Sequence, residues 1–114
     1  MIRFHTEGIS YSLQFMSDIN DWLTQTIRHE NKTLGAINII LCSDEHLLKI
    51  NIQHLEHDYY TDIITFDYSE GRTISGDLFI SIDRINENAK LYSVDSITEL
   101  HRVMVHGILH LCGY

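Results

Sequence analysis

Apolar residues recur at two different spacings along this chain, and the switches between them lay out the fold. Ile2 to His5 reads as a short opening strand. Phe15, Ile19, Trp22, Leu23 and Ile27 fall at helical spacing, which predicts a first helix over Phe15–Glu30, ended by Asn31-Lys32-Thr33. Ala36 to Cys42 is apolar and β-branched, the composition of a buried strand. Ser43 or Asp44 then caps a second helix carrying Leu47, Leu48 and Ile50. Leu55 to Tyr60 has no clear period and reads as a loop.

The second half begins with a hairpin: a strand over Asp62–Tyr68, a turn at Ser69-Glu70-Gly71-Arg72, and a strand over Thr73–Ile82. A short helix from Asp83 follows, with Ile85, Ala89 and Tyr92 on one side. The last helix opens on Ser96-Ile97-Thr98-Glu99, a Ser-x-x-Glu capping box, and runs to about Cys112. Leu100, Val103, Met104, Ile108 and Leu111 are its core-facing residues. The order β-α-β-α-β-β-α-α predicts an α+β fold. Its mixed sheet has about four strands, with one parallel crossover and one hairpin, and is covered by helices. The histidines described next sit at the end of the last helix.

Composition narrows the class. A chain of 114 residues, 44% hydrophobic and 21% charged, fits a single soluble domain over residues 1–114. No segment approaches the roughly 18 apolar residues of a membrane span, so no membrane partner is expected. Cys42 and Cys112 lie in apolar contexts and read as buried reduced thiols, which favours the cytoplasm. The net charge of −8 argues against coating nucleic acid through a broad basic face, although a local groove or a metal still allows phosphate contact.

The candidate chemistry is concentrated in His106-Gly107-Ile108-Leu109-His110-Leu111-Cys112-Gly113-Tyr114. On a helix, His106 and His110 project from one face one turn apart, a spacing at which two imidazoles reach one metal ion. Gly113 is placed to end the helix in a left-handed conformation. Eight histidines make roughly half of one such pair expected by chance, so two partly buried, hydrogen-bonded histidines are the competing reading. His-x-x-x-His-x-x-Gly is also the front of the long zinc-peptidase motif, whose third histidine would fall two residues beyond Tyr114. Gly107 occupies the position of that motif's catalytic glutamate, and glycine takes no proton.

Three segments in order carry a closer likeness: Thr61-Asp62-Ile63-Ile64-Thr65-Phe66, Gly76-Asp77-Leu78-Phe79-Ile80-Ser81, and Val105 through Tyr114. Together they resemble the YbeY family of metal-dependent endoribonucleases, whose signature is similar to His-Gly-x-Leu-His-Leu-x-Gly-Tyr-Asp-His. This chain supplies its first nine positions, and the resemblance runs from about Ile50 to Tyr114. It implies one zinc ion per chain, held by His106, His110 and a third histidine two residues past Tyr114 in a C-terminal segment the chain lacks. It also implies a single-strand-specific endoribonuclease acting in small-subunit ribosomal RNA maturation and ribosome quality control. The implied partners are single-stranded ribosomal RNA and the ribosome or its small subunit.

Asp62 and Asp77 match recurrent family positions and are weak catalytic candidates beside a structural role; the general base stays open. Where many relatives carry an arginine this chain has Leu55, which leaves Lys49, Arg84 and Arg102 as weak RNA-binding candidates. A ribosome-associated RNA-binding factor with a mainly structural metal is the alternative reading. A zinc peptidase-like hydrolase is the weaker one.

Overall fold

The computed structural model describes residues 1–13 and 16–114. It contains β1 (Ile2–Glu7), α1 (Met16–His29), β2 (Thr33–Cys42), α2 (Asp44–Leu55), β3 (Ile63–Asp67), β4 (Thr73–Ser81), α3 (Ile82–Tyr92) and α4 (Ser96–Leu111). The order is the predicted one. The strands form one sheet ordered β1-β2-β4-β3, with β1 and β4 parallel to β2 and β3 antiparallel to β4. The α+β class, the four strands, the crossover and the hairpin are as expected. Phe15, placed at the start of the first helix by its spacing, lies outside the described residues.

Alternation along the strands divides the sheet into two faces. Ile37, Ile39 and Leu41 of β2 and Leu78 and Ile80 of β4 face the larger core, against Leu23 and Ile27 of α1, Ile85 of α3 and the α4 stripe. All five α4 residues predicted for the core are buried. The opposite face carries a smaller cluster, in which Cys42, Leu47 and Ile64 are joined by Ile50, Phe66 and Phe79. Helix α2 therefore sits on one side of the sheet, and α1, α3 and α4 on the other.

Element ends differ from expectation in three informative places. Helix α2 runs through Leu55, and Glu56 leaves it in a left-handed conformation at φ 56°. Ser81 caps α3, accepting from the Arg84 amide at 3.1 Å, so Ile82 is helical and does not extend the strand. The Ser96 capping box does not form: Asp95 is the N-cap, without a side-chain bond, and Ser96 is already helical. The Glu99 carboxylate that would complete the box is buried and engaged one turn on by Arg102.

The end of α4 follows the glycine signal. Gly113 adopts φ +108°, the Tyr114 amide bonds to the Leu109 carbonyl at 3.1 Å, and the Gly113 amide to that of His110 at 3.1 Å. This is the paired pattern of a Schellman motif, and it fixes the last turn of the helix.

Candidate active site: a cleft along the free edge of strand β3

Strand β3 is at the edge of the sheet, with α2 over one face and α4 over the other. A cleft of about 300 Å³ opens there. Asn51 and Leu55 of α2 and His57 and Tyr59 beyond it form one wall; Thr61 and Ile63–Thr65 form the floor; His106 and His110 of α4 form the other wall. The bonds Ser81 N–H to Asp62 O (3.0 Å) and Tyr68 N–H to Ser75 O (2.9 Å) set the antiparallel phase. By that alternation the N–H and C=O of Ile63 and Thr65 point away from β4, toward the free edge. The cleft floor thus presents main-chain donors and acceptors beside two threonine hydroxyls.

Close contact between α4 and the sheet is what brings the histidines to this edge. A Cβ on Gly107 would lie 2.4 Å from Leu78 Cδ2 and 2.8 Å from Ile63 Cδ1, so any larger residue would have to displace those side chains between helix and sheet. Gly76 of β4 is confined by both neighbours, since a Cβ there would meet the Phe66 carbonyl of β3 at 2.4 Å and Leu111 Cδ2 of α4 at 3.0 Å. Close packing at 107 thus disfavours a glutamate there. A side chain there would be driven into the core and away from the cleft.

His106 and His110 are exposed, lie on consecutive turns and line the same cleft. No side-chain hydrogen bond or ion pair among the described residues engages either ring. The reading of two buried, hydrogen-bonded histidines has no support in this geometry. As donors the pair suits a late transition metal: two imidazoles open to one space, on a helix with a fixed end. Among the described residues no three His, Cys, Asp or Glu side chains converge, so these residues fit two positions of a ligand set.

A family model described as Endoribonuclease YbeY matches residues 1–114. This chain belongs to the YbeY family. A relative named Endoribonuclease YbeY from Flavobacterium johnsoniae is 50% identical over 114 residues, covering 100% of this chain and 81% of that one. One of the same name from Phocaeicola vulgatus is 49% identical over 113 residues, covering 99% of this chain and 82% of the relative. A solution structure of a Thermotoga maritima protein superposes with a TM-score of 0.71 at 29% identity, covering 100% of this chain and 73% of that one. The YbeY fold and the α+β assignment agree.

The remaining candidates are scattered. Asp62 pairs with Arg102 at 3.9 Å, near the cleft but outside its lining. Asp77 accepts from Asn38 Nδ2 at 3.1 Å and, by strand alternation with Leu78, faces away from α4 and both histidines. Arg84 is bound to both oxygens of Asp44, at 3.2 and 3.0 Å. Arg102 is forked on Glu99, at 2.9 and 2.7 Å. That contact holds the Glu99 carboxyl below the usual carboxylate range and raises the Arg102 guanidinium. Lys49 is exposed on α2 and does not line the cleft, whereas Leu55 does.

Sequence spacing missed two groups. His57 lines the cleft from the α2–β3 connection. Asp67 shares a strand face with Ile63 and Thr65, and its carboxyl is lowered chiefly by the Ser69 amide at 2.9 Å, with a smaller contribution from the nearby charge of His110. The signal for Asp67 was available, because its two-residue step from Thr65 puts both on the α4 side of β3.

Proposed function

We propose that the β3-edge cleft is the active site of a metal-dependent endoribonuclease that cleaves single-stranded RNA. The observation that carries it is the pair His106 and His110, unengaged and facing one cleft in a chain whose relatives are named endoribonucleases. His106 and His110 hold a zinc ion, with the third donor the histidine that the family signature implies beyond Tyr114. Bound there, zinc supplies Lewis acidity toward a phosphodiester oxygen. The chain's own groups do the rest. Main-chain N–H groups at the free edge of β3 and the hydroxyl of Thr65 offer donors to phosphate and ribose oxygens, while the Thr61 hydroxyl donates to the Ile63 carbonyl at 3.4 Å.

The implied substrate is ribosomal RNA of the small subunit, met in the cytoplasm. No helix among the described residues is long and apolar enough to cross a membrane. A labelled RNA oligonucleotide carrying a single-stranded 3′ tail tests the reading. Cleavage confined to the tail supports it, and equal cleavage within the duplex contradicts it. The termini also separate chemistries: a 2′,3′-cyclic phosphate means attack by the 2′-hydroxyl, a plain phosphate attack by water.

One observation favours the second reading, a ribosome-associated binding factor with a structural metal. Arg84 and Arg102, two of the candidate RNA-binding residues, are both paired with carboxylates in a chain of net charge −8, which weakens their claim on a substrate phosphate. Its mark is unchanged ribosomal RNA processing in cells carrying His106→Ala. The peptidase reading has no such support, because close packing at Gly107 disfavours the glutamate it needs.

A further inference from the structure

The connection from α2 to β3 is clasped by a buried asparagine. Asn51 is 1% exposed; its carbonyl accepts from the His57 amide at 3.1 Å, and its side-chain Nδ2 donates to the Tyr59 carbonyl at 2.9 Å. Two residues of an otherwise irregular segment are thereby fixed from the core side, leaving their rings outward. Those rings are stacked, with centroids 5.2 Å apart and planes inclined by 20°. The Tyr59 hydroxyl and His57 Nδ1 are hydrogen-bonded at 3.1 Å, which locks the pair as a unit. Both residues line the cleft opposite His106 and His110, and Tyr59 is 55% exposed.

An exposed aromatic unit on a pinned backbone is a preorganised π-surface, and the cleft that it borders contains no Lys or Arg. We propose that His57 and Tyr59 form a stacking platform for one unpaired base of the RNA, setting the register of the strand in the cleft. This rests on the endoribonuclease reading of the same cleft. Every base has a π-face, so such a platform tolerates sequence, and each stacked base is worth about 5- to 150-fold in affinity. A base within a duplex is already stacked and paired, so the platform favours single strands. Stacking also supplies affinity that a cleft lined by no Lys or Arg does not draw from phosphates.

The experiment titrates the full chain into a single-stranded oligonucleotide carrying 2-aminopurine, whose fluorescence falls when it stacks, and measures cleavage kinetics in parallel. Tyr59→Leu is expected to abolish the quench and to raise Kd and KM by about 5- to 150-fold, with kcat within about threefold. Tyr59→Phe, which keeps the ring, is expected to stay within about threefold of the parent. The slope of log affinity against log salt stays unchanged in Tyr59→Leu, because no phosphate contact is lost. Circular dichroism melts confirm that each variant is folded. A Tyr59→Leu protein that is folded and retains both quench and KM overturns the platform, as does a loss confined to kcat.

His106→Ala separates the two claims. Full cleavage by that variant defeats the reading of the cleft, whatever Tyr59 does. Lost cleavage with the quench retained leaves the cleft standing and shows that stacking does not depend on His106, so that loss of the quench in Tyr59→Leu alone decides the platform.

Discussion

Arg102, His106 and His110 follow one another at four-residue steps along α4, and their surroundings are opposite. Arg102 is gripped by the buried Glu99 of the same helix and neighboured by Asp62, so its charge is spent on neutralising carboxylates near the start of α4. His106 and His110, one and two turns further on, have no such partner among the described residues and face the cleft. One stripe of one helix thus carries a structural half and a half available to a ligand. A cation counts as a candidate binding group only after its carboxylate neighbours have been counted.

The largest effects should separate the two halves most cleanly. His106→Ala or His110→Ala is expected to lower endoribonuclease activity by at least about 100-fold while leaving stability within about 0.5 kcal/mol, because the lost groups make no folding contact. Arg102→Ala should do the reverse, costing about 1–3 kcal/mol by leaving the Glu99 carboxylate buried without its charge-assisted bonds. Its kcat per folded molecule should change little. Denaturant melts and oligonucleotide cleavage on the same preparations check both; an Arg102→Ala enzyme that is stable but inactive would erase the division.

Gly107→Ala sits between the halves. The added methyl meets Leu78 and Ile63 and should cost about 1–3 kcal/mol through overpacking. Because the helix must lift to accommodate it, activity should fall further than the stability loss accounts for. Retained activity at full stability would mean that the contact is slack.

The smallest effect concerns the far side of α4. His101 packs against Trp22 in a tilted arrangement with ring centroids 5.6 Å apart, its Nε2 is buried without a hydrogen-bond partner among the described residues, and burial lowers its pKa. The unfolded chain therefore takes up this proton first as pH falls. The associated stability is complete above the ordinary histidine pKa of about 6.5 and is lost as pH drops through the lower folded value. His101→Phe should flatten the pH dependence of Tm below about 6.5, and an unaltered slope would show that His101 is not its source.

How much of this was legible in the sequence depends on the range of the interactions. The core stripe of α4 and its glycine terminus were readable because spacing and termination are local. The capping box was not, because Glu99 had two possible partners three residues away, Ser96 and Arg102, and the charged one won. Helix α2 outran its expected end because the segment after it is organised by the buried Asn51 and not by apolar periodicity. The histidine pair was visible as a spacing. The opposite wall at His57 and the floor at Thr65 were not, since they arrive from other elements. Arg84 looked free because its partner Asp44 is 40 residues distant.

Zinc affinity is the most direct test of the claim that His106 and His110 are metal ligands. Competition with a chromogenic chelator should be run on this chain, on the same chain extended by Asp-His after Tyr114, and on His106→Ala and His110→Ala in each background. The account predicts one ion per chain, bound weakly by the pair alone, at least about tenfold more tightly with the third histidine, and lost in every alanine variant. Folded alanine variants that bind zinc as tightly as their parents would contradict it.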